Sequence, residues 1–221
     1  IKTHTLSSVA GEILHAGDQH LKITAQNLQG QQGKIQSNSD LQLNLGTANL
    51  DKALTAAQSI NLTATELSHQ QGQLIQNDAN GHLQVNVVQT LNNTSGVISA
   101  AGNADIKTAD LNNQSGVIQT LANKDLSIES QKLENQSGKI VAGRDAAIKT
   151  TQLNNDTGTV YAAGKLGLHA TQDVSNQQGL IAAKQSLNIE AQNLNNSKGQ
   201  IQTESGDANL TIAQTLNNQA G

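Results

Sequence analysis

Histidine, carboxylate and hydroxyl side chains are the groups in this sequence that could do chemistry. Six histidines, His4, His15, His20, His69, His82 and His169, have the type to bind a metal or shuttle a proton. No pair stands at a tight ligand interval with a third partner, so no metal site is expected. Cysteine is absent, which removes thiolate ligands, a thiol nucleophile and any disulfide framework. Serine and threonine are plentiful, yet neither a Ser-His-Asp grouping nor a GxSxG elbow accompanies them. Carboxylates remain. Polysaccharide cleavage needs several of them, or carboxylates with a basic residue and Ca²⁺, converging on one face. Whether they converge depends on the elements that carry them.

Those elements repeat. Aligned on the apolar residue that opens each copy, the chain gives Leu6, Leu28, Leu50, Leu67, Leu91, Leu111, Leu133, Leu153, Val174, Leu194 and Leu216, with a mean period of 21 residues. One interval is short, the 17 residues from Leu50 to Leu67, and that copy lacks the Gly of the others. The next interval is 24 residues. Each copy reads L-N-N-x-x-G-x-I-x-A, a polar connection, then L-x-I-x-A. In GVIQT and DLSIES, apolar and polar residues alternate with period two, the signature of strands, and no helical spacing appears. One copy buries too few aliphatic side chains to offset the ordering of its backbone, so copies must stack. A propeller blade needs about 40 residues and a leucine-rich repeat adds a helical segment. Two alternating segments per period fit a parallel β-helix of about ten coils, irregular over residues 50–90.

Composition agrees with a narrow interior. Pro, Cys, Met, Trp and Phe are absent, and Tyr161 is the single aromatic residue. The apolar set is Leu, Ile, Val and Ala, small enough for facing strands to approach closely. Formal charge is −4 from 13 basic and 17 acidic residues. The sequence has neither a basic stripe nor stacking aromatics, so nucleic acid is not an expected partner. There is no run of about 18 apolar residues, so no transmembrane segment is expected. The chain opens on Ile1 and closes partway through a repeat, as an internal piece of a longer protein would.

Stacking turns repeated residues into rows. One corner row is glycine and includes Gly96, Gly116, Gly138, Gly158, Gly179 and Gly199, a position expected to need positive φ. Three residues earlier stand Asn93, Asn113, Asn135, Asn155, Asn176, Asn196 and Asn218, whose amides can hydrogen-bond from coil to coil and which tolerate the left-handed region. A ligand seldom needs one residue copied evenly along a whole rod, so this row is read as architecture. Ser8, Gly30 and His69 interrupt it near the N-terminus.

The outward row Thr24, Asn44, Thr63, Asn86, Lys107, Glu129, Lys149, His169, Glu190, Ala213 sets Glu129 and Glu190 three coils apart, roughly 14 Å. That is too far for paired acid–base work. Catalytic residues, and with them an enzyme, are therefore not expected, and no cofactor is called for. Val141, Tyr161 and Ala182 share another outward row, with Leu180 beside it, and form a candidate partner patch.

The runs LNNQSGVIQTLANKDLSIES and LENQSGKIVAGRDAAIKTTQ resemble the haemagglutinin repeats of filamentous-haemagglutinin-like exoproteins. These belong to two-partner secretion systems and include adhesins and contact-dependent growth inhibition proteins. The resemblance runs from Leu6 to Gly221. It implies a right-handed parallel β-helix, exported unfolded through a partner outer-membrane transporter of a Gram-negative bacterium. The folded product would be a secreted, cell-surface fibre, and a chain without disulfides suits that route. The expected role is a shaft that presents an adhesive or toxin-delivery region. The alternatives are a module that binds a host or bacterial cell-surface receptor directly and, more distantly, a β-helical polysaccharide-cleaving enzyme.

Overall fold

The computed structural model describes residues 1–221. It contains 25 strands and no helix, all paired in parallel. Each coil contributes one four-residue strand, such as Val117–Thr120, to a ten-stranded sheet. The rest of the coil joins a second sheet of 15 strands, as one long strand (Asn103–Asn112) or two short ones (Leu126–Glu129 and Lys132–Glu134). The register carries like onto like: Leu111 pairs with Leu133, Ile118 with Ile140 and Ile128 with Ile148. The chain is a parallel β-solenoid of ten turns.

Alternation explains the interior. In most strands between the two end coils alternate residues are buried, as in Val97–Ala100 where Ile98 and Ala100 point in. The inward residues merge into one continuous cluster of 46 buried aliphatic side chains. Without aromatics to separate them, the sheets close directly on stacked Leu, Ile, Val and Ala.

The structure corrects one boundary of the repeat. Ala48, not Leu50, pairs with Leu28 on one side and Leu67 on the other. The short 17-residue coil does not exist: Ala48 to Leu67 spans 19 residues, and Leu50 stands two residues further on, in the corner. Both residues are buried, and the larger aliphatic was the misleading one. The 24-residue coil is real. Its extra length lies in the turn at 77–81 and in a bulge at Val88–Gln89, where the register slips between Val87 and Thr90. The turn is pinned from within by Gln76, which is 1% exposed and stands between the small residues Ala57 and Ala100 of its row. Gln76 donates to the carbonyls of Gln58 and Asp78 and accepts from the Gly102 N–H at 2.7 Å.

The outward charged row is also corrected at its C-terminal end, where Ala208 and Leu210 pair with Leu187 and Ile189 ahead of a second bulge between Ala191 and Asn193. Glu190 is followed by Thr211, not Ala213.

Candidate functional site

The corner that recurs in every coil is the most repeated arrangement in the molecule. Its geometry begins with a tight turn in which Gly116 N–H donates to Asn113 C=O at 3.0 Å. The left-handed residue is Ser115, with φ 54°, and no glycine in the chain has positive φ. The same place is held in other coils by Ala10, Gln32, Lys52, Gln71, Ser95, Ser137, Thr157, Gln178, Lys198 and Ala220. This overturns the expectation that Gly96, Gly116, Gly138, Gly158, Gly179 and Gly199 supply the left-handed conformation; the ladder asparagines do not adopt it either. What the left-handed residue gains is direction: Ser95 N–H reaches Gln114 C=O and Ser115 N–H reaches Gln136 C=O, both at 3.0 Å. The backbone ladder therefore continues around the corner.

Glycine follows for a steric reason. A Cβ on Gly116 would strike the Asn93 carbonyl of the preceding coil and lie 2.6 Å from the Asn113 amide oxygen. Gly138, Gly158, Gly179 and Gly199 face the same two obstacles. In the coil where Leu50 replaces the asparagine there is no amide oxygen, and the following position carries a methyl group, Ala53. In the regular coils the glycine is thus enforced by both the asparagine amide and the preceding carbonyl, whereas at Gly33 backbone carbonyls alone, that of Ser8 among them, crowd the site.

The asparagines form an unbroken chain of amides. Asn93 Nδ2 donates to Asn113 Oδ1, Asn113 to Asn135, Asn135 to Asn155 and Asn155 to Asn176, each at 2.7 Å. Asn176 continues to Asn196 at 2.6 Å and Asn196 to Asn218 at 2.7 Å. The amide nitrogen also reaches the glycine carbonyl of the same corner at 3.3–3.4 Å and, from Asn93 to Asn176, a carbonyl of the next coil at 3.1–3.4 Å, as from Asn113 to Gly116 and Lys139. Asn93, Asn113, Asn135, Asn155 and Asn176 are 0% exposed. From Asn93 to Asn196 the ladder lies inside the wall of the rod, out of reach of any ligand.

His69 heads this ladder. Its Nδ1 lies 2.9 Å from Asn93 Oδ1, which can only accept, so Nδ1 carries the proton. The other ring nitrogen, Nε2, is buried with no partner. Burial holds the His69 pKa below the usual histidine value, against smaller upward pulls from Asn93 and Asp51. On its N-terminal side the ladder gives way to Leu50, whose Cδ2 stands where a Cβ on Gly30 would need to be.

A second row, just outside the first, shows how the sequence exchanges one bond for another. Asn112 Oδ1 accepts the Gln114 N–H at 3.0 Å within its own turn. Where serine replaces that asparagine, an aspartate of the preceding coil does the work. Asp51 Oδ1 accepts from Ser68 Oγ at 2.7 Å and Gln70 N–H at 2.8 Å. Asp156 Oδ1 accepts from Ser175 Oγ at 2.6 Å and Gln177 N–H at 2.9 Å. Sequence reasoning missed this pairing, although its signal, Ser in the Asn place with Asp one coil earlier, was readable.

Exposed polar groups form pairs along the rod. Lys107 meets Glu129 at 2.8 Å and His169 meets Glu190 at 2.9 Å, each one coil apart. His82 meets Asp105 at 3.0 Å, and Arg144 donates to both carboxylate oxygens of Asp125 through Nε and Nη2. The hydrogen bond from Lys107 holds the Glu129 carboxyl below the usual carboxylate range, and that from His169 does the same for Glu190. A general acid needs the opposite shift. No three His, Asp or Glu side chains gather as a metal-binding group. A surface hollow of about 410 Å³ is lined by residues including His20, Asp40, Asn61 and His82 and brings no carboxylate pair together.

The candidate patch is positioned as a row: Val141 pairs with Tyr161 and Tyr161 with Ala182, while Thr159 pairs with Leu180. Ala182 is buried at 4% exposed and the others are half-buried. The most exposed apolar side chain is Val88, at 67%, on the bulge of the long coil.

Compared with known proteins, the chain matches a family described as the haemagglutinin repeat over residues 3–87, 78–132, 120–178 and 161–220. No curated protein and no solved structure matches it. The matched segments run through the whole solenoid, coil after coil. With its repeats stacked as β-solenoid turns, the chain belongs to the haemagglutinin-repeat family of filamentous-haemagglutinin-like exoproteins, a structural and adhesive family of secreted or cell-surface proteins.

Proposed function

We propose that this chain is a shaft segment: a rigid spacer that holds a distal adhesive or toxin-delivery region away from the surface of a Gram-negative cell. The observation that carries the reading is the amide ladder from Asn93 to Asn218, buried as far as Asn196, because it spends the most repeated residues on joining coils. Such joining resists bending between neighbours, since each coil is bonded to the next by two sheets and by its corner. Export through a partner outer-membrane transporter, with folding outside the cell, fits a chain free of cysteine. Deleting one whole coil, residues 133–152, would set Asn113 against Asn155 and leave the ladder continuous. In the parent exoprotein this deletion should preserve adhesion or delivery while shortening the fibre by about 4.8 Å. Loss of activity in a folded deletion protein would contradict a spacer role.

A second reading, direct receptor binding, draws on the long coil. Exposed Val88 borders a hollow of about 360 Å³ with Asn86, Lys107 and Glu129. Saturable binding of the isolated chain to host or bacterial cells, abolished by Val88→Ser, would favour it over the shaft. Absence of binding leaves the shaft reading standing.

A further inference from the structure

The outer faces of the two sheets differ in charge. On the 15-stranded sheet one outward row runs Lys107, Glu129, Lys149, His169, Glu190. On the ten-stranded sheet the two outward rows hold Leu54, Ile75, Val97, Val117, Val141 and Tyr161, and from Leu54 to Ala182 the only charge on that face is Lys139. The partner patch suggested by the sequence is thus the C-terminal end of a band seven coils long. Two of its polar members pair along the band, where Gln119 Nε2 donates to Ser99 Oγ at 3.1 Å.

We infer that this band is the interface of a face-to-face dimer, with a second copy of the chain as its occupant and the two rods antiparallel. Repeat spacing selects the occupant: side chains recur along the band once per coil, about 4.8 Å, and another copy offers the same pitch for interdigitation. Charge selects the direction. With parallel rods in register, Lys34 and Lys139 each lie beside their own counterparts. With antiparallel rods centred on the Val117 coil, Leu54 faces Leu180, Ile75 faces Tyr161, and Val117 and Gln119 each face themselves. Lys139 then meets Val97, and Lys34 meets Gln200, so no like charges oppose. Nine overlapping coils, each about 4.8 Å deep and about 13 Å wide, cover about 1,100 Å² over both copies, just above the lower bound of about 1,000 Å² for a specific interface.

Sedimentation velocity of the full chain, from low to high micromolar concentration, should show a reversible monomer–dimer equilibrium. Val117→Lys, which sets two lysines face to face at the centre, should weaken dimerisation at least tenfold, and Gln119→Lys provides the same test should the first variant unfold. Asn86→Lys, on the other sheet, should leave it unchanged. In this cysteine-free chain, Gln119→Cys should be joined into a dimer by a short bis-maleimide, and Asn86→Cys should not. A chain that stays monomeric throughout would overturn the inference. So would a dimer that tolerates both lysine variants and leaves Gln119→Cys uncrosslinked, since the contact would then lie elsewhere. Neither result touches the shaft reading, which needs no lateral contact.

Discussion

The corners from Asn93 to Asn218 share one chemistry, whereas Ser8, Gly30, Leu50 and His69 fill the same place with four different ones. In the regular region each coil hands an amide hydrogen to the next, and a glycine must follow because the amide and the preceding carbonyl fill the space of a Cβ. In the N-terminal region the corner is filled by aliphatic packing, Leu50 over Gly30, and a methyl group is tolerated at Ala53. His69 joins the two regimes, as a donor to the amides on one side and a buried nitrogen without a partner on the other. The backbone is the same in both: the left-handed residue recurs from Ala10 to Ala220. A solenoid corner is thus specified by its backbone, and side chains determine how strongly adjacent coils are tied.

Breaking the regular corner should cost most. Asn135→Ala removes two ladder bonds and strands the Asn113 amide and the Asn155 oxygen in the wall; the loss should be about 3–5 kcal/mol in urea unfolding. Gly138→Ala follows, at about 2–3 kcal/mol, from the collision of its methyl group with Asn113 and Asn135. The same methyl group is native at Ala53, so Ala53→Gly should cost no more than about 1 kcal/mol. Near equality of Gly138→Ala and Ala53→Gly would dissolve the distinction between the two regions.

His69 sharpens the comparison through pH. Its folded pKa lies below that of the unfolded chain, so the unfolded state binds the extra proton first. Its contribution is fully present above about pH 6.5 and declines as pH falls toward the folded value, by up to about 1.4 kcal/mol per pH unit. His69→Asn should abolish this dependence and extend the ladder by one amide. Thermal unfolding between pH 7 and pH 5 would show the variant with the flatter profile; equal slopes would mean that His69 does not carry the effect. The smallest effect belongs to the left-handed position: Ser115→Gly should stabilise by no more than about 1 kcal/mol, as removed strain exceeds the added chain entropy. A destabilisation there as large as that of Gly138→Ala would mean that the steric account of the glycine row is wrong.

The strands, the period and the asparagine ladder were legible in the sequence because each rests on side chains that recur at a fixed spacing. Two errors show where legibility stops. Leu50 outranked Ala48 as the repeat's opening residue, since size marks a buried position but not which of two buried positions. The glycine row was read as conformational because N-x-x-G resembles a local turn. Its true cause is a carbonyl one coil away, as with Asn93 against Gly116, and no local pattern displays it. The slip from Ala213 to Thr211 has the same origin as the error at Leu50: Ile212 outranks Ala208 in size, yet Ala208 and Leu210 are the residues that pair with Leu187 and Ile189. The partner patch was seen only where Tyr161 made it conspicuous, although the same face extends back to Leu54.

The most direct test of the stacked shaft uses pairs of spin labels on one outward row. Thr24 to Lys107 and Lys107 to Glu190 each span four coils, the first mostly within the irregular corners and the second within the amide ladder. Each pair should lie about 19 Å apart at the backbone, and Thr24 to Glu190, eight coils, about 38 Å. Narrow distributions that add in a straight line are the predicted result. A full span clearly shorter than its two halves together, or a broad one, would contradict a rigid rod running through both kinds of corner.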